Sequence, residues 1–473
     1  MELISIYFAI LAIISAVIYY TLNQKFRILF LNLLSLGFIA SLNLNLLIYI
    51  LVYATVNYFI GRGLSGSKNK KLFFRAGLIL NLLQLILLKY ADFTIDPILR
   101  LLNSDLAITQ LSEIIVPIGI SYFTLQGIGY LVNVKMGWEK PEKKFMDFLL
   151  YLTFFPKFLS GPIARSNKLL PQFKEQGTFD QEKFTSGLKT AFWGFFKKLV
   201  IANQLAPFIG QAYANAETIG GGYVWLTILI QPLYLYFDFS GYTDIAIGFG
   251  RMFGIELPPN FNRPFTSQNI TNFWKRFHMS LSSWFNDYVF MRLIFRYRKL
   301  KQYASIIAIF VTWCLFGIWH GAGWNFMILG FVLSLSIIYE YFTKRKRAAL
   351  FARLPEVPRI WLGRICTYVF YGLALTFFFS PDLPSSIHFF SNIFKFTGVT
   401  PGHILVMPLS FGLAIALLFQ IYEFVQTDFA DFYNKLEGIW NRNKVIQVLV
   451  YYAIAILVIS EMGGNSSFVY EMF

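Results

Sequence analysis

Residues 303–319 read YASIIAIFVTWCLFGIW, and His320 follows directly. These seventeen residues carry no charge. At a helical rise of 1.5 Å they cover about 25 Å, close to a hydrocarbon core of about 30 Å. Runs of this kind recur along the whole chain. Of 473 residues, 56% are hydrophobic and 14% charged, with mean hydropathy +0.55. A soluble globular chain carries about 25% charge. Disorder, a collagen-like chain and a disulfide scaffold are excluded. An outer-membrane barrel requires alternating strands of roughly ten residues, and none occurs. The fold class is an all-α polytopic integral membrane protein, read as one domain over 1–473. Met1-Glu2 carries no basic segment, so no cleavable signal is expected. Cys314 and Cys366 lie inside apolar runs and read as small core residues rather than a disulfide.

Candidate spans are 4–22, 28–42, 44–61, 73–91, 114–134, 184–203, 223–250, 303–320, 324–342, 359–379, 404–426 and 445–461, giving about 11–12 transmembrane helices. The net charge of +16 raises a nucleic-acid reading, but the cations are not spread evenly. Let the spans alternate in direction, starting outside. The inward connections 23–27, 62–75, 135–183, 251–302, 343–364 and 427–444 then hold thirty-five of the 41 Lys and Arg residues. The outward connections hold only Arg100 and Lys395. This is the positive-inside pattern. It assigns the excess charge to topology and anionic lipid rather than to nucleic acid. The expected location is the cell (inner) membrane, multi-pass, with both termini extracytoplasmic.

Two places resist a simple pass. Lys197 and Lys198 fall late in an outward span, where cations are costly. The crossing is therefore expected to begin after them, with 184–196 lying flat. Segment 148–163, FLLYLTFFPKFLSGPI, is apolar but interrupted by Pro156, Gly161 and Pro162. It reads as re-entrant or interfacial. After the helix-breaking stretch LPPNFNRP (257–264), residues 269–299 carry Phe273, Trp274, Phe277, Leu281 and Trp284 at helical spacing. That pattern predicts an interfacial amphipathic helix.

No phosphate loop, zinc helix or nucleophile elbow occurs, and no metal set is expected. Gly250 and Gly254 form a small-xxx-small spacing that packing explains. Four histidines are present. His388 and His403 lie in the outer loop and read as solvent-exposed. His320 closes a charge-free span before Gly-Ala-Gly-Trp (321–324), whose small residues are expected to leave space beside the imidazole. A neutral imidazole there can take a proton from a hydroxyl. It can equally be a core histidine bonded to a neighbouring helix. His278 reads as an interfacial histidine or a functional one. Asp238 and Asp244 sit six residues apart in one span, about 240° apart on a helix. Structural pairing with Lys or Arg is preferred for them over proton chemistry.

Taken in order, YFDFSGYTDIAIGFGRMFGIELPPNFNRPF, NFWKRFHMSLSSWFNDYV and LFGIWHGAGWNF resemble the membrane-bound O-acyltransferase family. The likeness is greatest to its bacterial branch that includes alginate O-acetyltransferase. Segments 116–134, 151–173 and 195–207 and the ending FVYEMF add to the resemblance, which is dense over 110–345.

The resemblance implies an O-acyltransferase, an O-acetyltransferase as in its bacterial branch, with its helices around a central tunnel. His320 corresponds to the histidine of the family's Trp-His-Gly motif and His278 to its second histidine. Trp274, Lys275, Arg276, Asp287, Trp319 and Asp238 are expected along the donor and substrate tunnel. The family's arginine-aspartate-tyrosine element appears as Asn286-Asp287-Tyr288, and MRLIFRYRK (291–299) replaces the glycine-rich segment after it. No cofactor is expected to be held. The donor is a thioester, acetyl coenzyme A or an acyl carrier, approaching from the cytoplasm near His278. The acceptor approaches from outside near His320. Expected partners are an extracytoplasmic SGNH-type (serine-hydrolase-like) acetyltransferase, a polysaccharide as final acceptor, and membrane lipid. Other readings are a D-alanyl transferase for teichoic acid, a proton-coupled secondary transporter and a structural export subunit.

Overall fold

A computed structural model describes residues 5–66, 68–95, 119–175, 177–395 and 406–462. No strand forms among them, as the apolar runs require of a chain in lipid. Eight helices among the described residues are long and apolar enough to cross a membrane. They are Gln24–Leu42, Leu44–Ser65, Lys70–Leu88, Gln302–His320, Trp324–Phe351, Glu356–Phe379, Leu409–Asp428 and Lys444–Glu461. The remaining expected spans are also helical where described. They appear as Ile6–Thr21, Ile120–Met136, the run from Gln181 to Ala214, and Gly221–Met252. Arg100, His403, the ending FVYEMF and the first residues of 114–134 lie outside the described residues.

The chain forms two compact units, residues 1–193 with 242–259, and 194–241 with 260–473. In the first, polar side chains tie the helices together. Tyr53 donates to Asn81 Oδ1 at 2.6 Å, and Asn81 donates to Asn57 Oδ1 at 2.8 Å. Segment 148–163 behaves as its prolines demand. Helix Phe145–Thr153 stops, one tight turn covers Phe155–Lys157, and the backbone beyond is buried without regular structure. Its Lys157 is 1% exposed and donates to Gln126. Gly248 packs so closely on the helix from Gln181 that a Cβ would lie 2.4 Å from the Ala191 amide nitrogen.

In the second unit the lysine pair is handled differently from the sequence expectation. The helix beginning at Gln181 does not stop before Lys197-Lys198. It continues through a widened turn at Phe196–Ala202 into Asn203–Ala214. Both lysines are buried, and their charge is answered locally. Lys198 forms an ion pair with Asp238, and the Lys197 ammonium stands 5.1 Å over the Phe419 ring. Paired cations of this kind remove the cost that made a break look necessary. Helix Gly221–Met252 runs unbroken through Gly241, so Asp238 and Asp244 stay on different faces.

Residues 269–299 depart further from expectation. Instead of one amphipathic helix there are short pieces: Ile270–Trp274, Met279–Phe285, a widened turn at Asn286–Phe290 and Met291–Arg296. The break falls at His278, whose backbone is left-handed at φ 47°. Its cause is competition for backbone partners. The Met279 amide donates to the Asn260 carbonyl at 2.9 Å, and the Asn262 amide donates to the Arg276 carbonyl at 2.9 Å. Groups that would have continued the helix are taken by the extended proline-rich segment. Phe273, Trp274, Phe277, Leu281 and Trp284 are all buried rather than set at a surface. The cysteines also differ from expectation. Cys314 is half-buried and Cys366 exposed, on helices whose apolar outer faces are suited to lipid.

Candidate functional site

His320 is the last residue of helix Gln302–His320, and the chain turns within Gly321–Gly323 into helix Trp324–Phe351. The two helices run antiparallel and approach closely. A Cβ on Gly317 would meet the Phe326 carbonyl oxygen at 2.4 Å and the Gly330 Cα at 2.6 Å. The small residues after His320 do not leave the open space that the sequence suggested. The Phe326 ring fills it, 2.2 Å from where a Gly321 Cβ would stand. The His320 imidazole is 6% exposed and edge-packed by Phe316, Trp319 and Phe378, at centroid distances of 5.0, 4.9 and 5.3 Å.

His278 is fully buried. Its ring meets the edge of Phe239 at 4.6 Å and packs against Trp319 at 5.9 Å. Trp319 therefore touches both imidazoles. His278 Nδ1 lies 3.4 Å from Asn260 Oδ1, and the same oxygen accepts the Ser280 amide at 3.0 Å. The backbone donor identifies that Asn260 atom as the oxygen, so Nδ1 carries the proton and Nε2 holds the lone pair. His278 lies outside the spanning helices. Burial, reinforced by the nearby His320, holds its imidazole well below its ordinary value, so it is neutral.

The two histidines line one narrow cavity with about 20 Å³ open to a water's centre. That is room for roughly one water. The wall includes Trp274, Phe316, Tyr371 and Phe378 and contains no carboxylate. Glu340 fixes one part of this wall. Its carboxylate accepts the amides of Ile270 and Thr271 at 2.7 and 2.9 Å, capping the short helix that ends at Trp274. Arg364 fixes another, in a two-pronged pair with Asp428 while its Nε donates to the Thr266 carbonyl at 3.2 Å. Such pairs give geometry as well as energy.

Of the residues that the sequence singled out, His278, His320 and Trp274 share this wall. Trp319 packs behind it. Lys275 is exposed, and the Arg276 guanidinium holds the turn before it, 3.1 Å from Thr266 Oγ1. Asp287 is half-buried in the widened turn, its Oδ1 accepting from the Asn286 side-chain Nδ2 at 3.1 Å. Asp238 stands outside the wall in its ion pair with Lys198. His388 is exposed, as the sequence suggested. Sequence reasoning did not find Asn260. Its signal was available: an asparagine directly after two prolines, in a stretch read only as a helix breaker. It also did not find Tyr371 and Phe378, which arrive from a distant helix.

The cavity brings together two imidazoles, which can take up a proton, an indole and a phenol, with no metal-binding cluster of His, Cys, Asp or Glu among the described residues. Comparison with known proteins agrees with acyl transfer. Residues 142–381 match MBOAT, the membrane-bound O-acyltransferase family. The chain is 32% identical over 419 residues to a peptidoglycan O-acetyltransferase of Helicobacter pylori, covering 81% of this chain and 77% of that one. It is 34% identical over 319 residues to a probable alginate O-acetylase, AlgI, of Azotobacter vinelandii, covering 66% and 63%. A teichoic acid D-alanyltransferase of Bacillus subtilis is 34% identical over 240 residues, 48% of this chain and 60% of that one. The chain thus spans less than two thirds of the latter two relatives. With the family match reaching across both histidines, the chain belongs to the membrane-bound O-acyltransferase family and is a multi-pass membrane acyltransferase.

Proposed function

We propose that this acyltransferase takes acetyl from a cytoplasmic thioester and delivers it to a hydroxyl on the outer side, for O-acetylation of a cell-envelope polysaccharide. The observation that carries this reading is the single carboxylate-free cavity lined by both His278 and His320. A thioester is already activated, so the site has to supply a base, alignment and stabilisation of the oxygen that becomes negative. His320 takes the hydroxyl proton as the oxygen attacks the acyl carbon, and the C–S bond breaks as the thiolate leaves. His278, on the same wall, is assigned to the donor half of the reaction. The charge asymmetry of the loops supports a cytoplasmic 251–302 and, with it, this direction of transfer. His320 is the residue to test. His320→Ala or His320→Gln, at matched protein level, is expected to abolish glycan acetylation while membrane insertion persists. Near-normal acetylation overturns the reading.

The acyl group is acetyl rather than D-alanyl on the same observation. A D-alanyl group brings an ammonium, and burying it beside apolar walls without a carboxylate is costly. Presenting D-alanyl and acetyl thioesters to the same preparation distinguishes the two. A final acetyl transfer by an extracytoplasmic SGNH-type partner is part of this proposal, supported by the polysaccharide acceptors named for the similar proteins.

A further inference from the structure

Trp274 is 7% exposed and belongs to the cavity wall. Its indole Nε1–H has no acceptor among the described residues. The ring is held on several sides, by Phe316 at 4.9 Å, Trp313 at 5.0 Å and Phe273 at 5.5 Å between centroids. An indole N–H donates only and takes no part in moving protons. A buried donor left without a partner is unfavourable, and packing alone would be served equally by phenylalanine. A buried indole donor with no protein acceptor among the described residues thus belongs to the wall that both imidazoles line.

Resting on the reading of this cavity as the transfer site, we propose that Trp274 is a catalytic residue whose Nε1–H donates to the carbonyl oxygen of the acyl group. As the hydroxyl oxygen bonds to the acyl carbon, the C=O electron pair moves onto that oxygen, and Trp274 holds the charge. The pair returns as the C–S bond breaks. The hydroxyl proton passes to His320 and ends on the sulfur, so atoms and charge balance. A donor already in place when the charge appears needs no reorganisation.

The test uses the full chain in phosphatidylethanolamine–phosphatidylglycerol liposomes, with acetyl coenzyme A as donor, an SGNH-type acetyltransferase domain and a soluble oligosaccharide on the acceptor side, and release of free coenzyme A as the readout. Trp274→Phe, and replacement of Trp274 by benzothienylalanine, which keeps the two-ring shape without the N–H, are compared with Trp313→Phe and His320→Ala. Both Trp274 changes are expected to lower kcat about 100-fold with the donor KM held within about two-fold. Trp313→Phe, which removes an indole from the same stack, is expected to stay near native. Near-native kcat in the benzothienylalanine protein, while His320→Ala is inactive, overturns the role of Trp274 and leaves the site standing. An active His320→Ala protein moves the site elsewhere and takes this proposal with it. A rise in KM with no fall in kcat on loss of the N–H reduces Trp274 to a binding surface and also overturns it.

Discussion

Asn260 Oδ1 receives two groups from the turn at His278: the Ser280 amide at 3.0 Å and the imidazole Nδ1 at 3.4 Å. One side chain thereby fixes both the left-handed backbone and the tautomer of the ring.

Asn260→Ala removes the oxygen that selects the tautomer, and is expected to lower kcat about 10-fold or more as the ring loses its orientation. Asn260→Asp separates positioning from packing. A carboxylate beside the imidazole favours its protonated form and raises its pKa. A ring that acts in its neutral form is then protonated at a higher pH, so the acid limb of the pH–rate profile moves upward. An unchanged profile in Asn260→Asp contradicts the tautomer assignment.

His278→Phe keeps the buried ring and its contacts with Phe239 and Trp319 while removing both nitrogens. Turnover of the donor thioester, supplied on the inner face of sealed vesicles, is expected to fall about 10²-fold, the scale of losing alignment at the reacting centre. Thermal stability should change little. Wild-type turnover reduces His278 to a packing residue.

Cysteine labelling in a protein lacking Cys314 and Cys366 tests direction. A cysteine at position 299 is expected to react only from the cytoplasm and one at position 395 only from outside. Labelling of both from one face overturns the topology and, with it, the cross-membrane reading.

Gly317→Val is expected to disrupt the protein more than its small size suggests. The new side chain would point into the Phe326 carbonyl and the Gly330 backbone at under 3 Å, and neither is a flexible side-chain end. Overpacking typically costs 1–3 kcal/mol. A clear fall in melting temperature, with His320 untouched, is the expected readout.

The membrane fold was legible because a hydrocarbon layer imposes one simple demand, continuous apolar residues over a fixed length. Runs such as 303–319 answer it without help from distant residues. Asp238 was legible for a related reason: a buried acid requires a cation, and Lys198 supplies it. The turn at His278 was not legible. FWKRFHMSLSSW keeps helical period on both sides, and the break comes from Asn260 and Asn262 competing for backbone groups from outside the window. The cavity wall was half legible. Trp274 and the histidines lie in motifs, whereas Tyr371 and Phe378 reach it only through tertiary packing. The space beside His320 was misread because glycine marks closeness as readily as emptiness.

The closely packed hairpin around Gly317 and Gly330 also fixes the position of His320 along the helix axis. The imidazole ends one helix, and the next begins within three residues, so neither rod slides without dragging its neighbour. Adding one residue between 304 and 319 would swing everything beyond it through about 100° and lift it by about 1.5 Å. The imidazole would leave its wall altogether. Substitutions along this rod preserve the register of the reacting group, whereas a single insertion or deletion changes its address. Over evolutionary time this rod is expected to vary in letters but not in length.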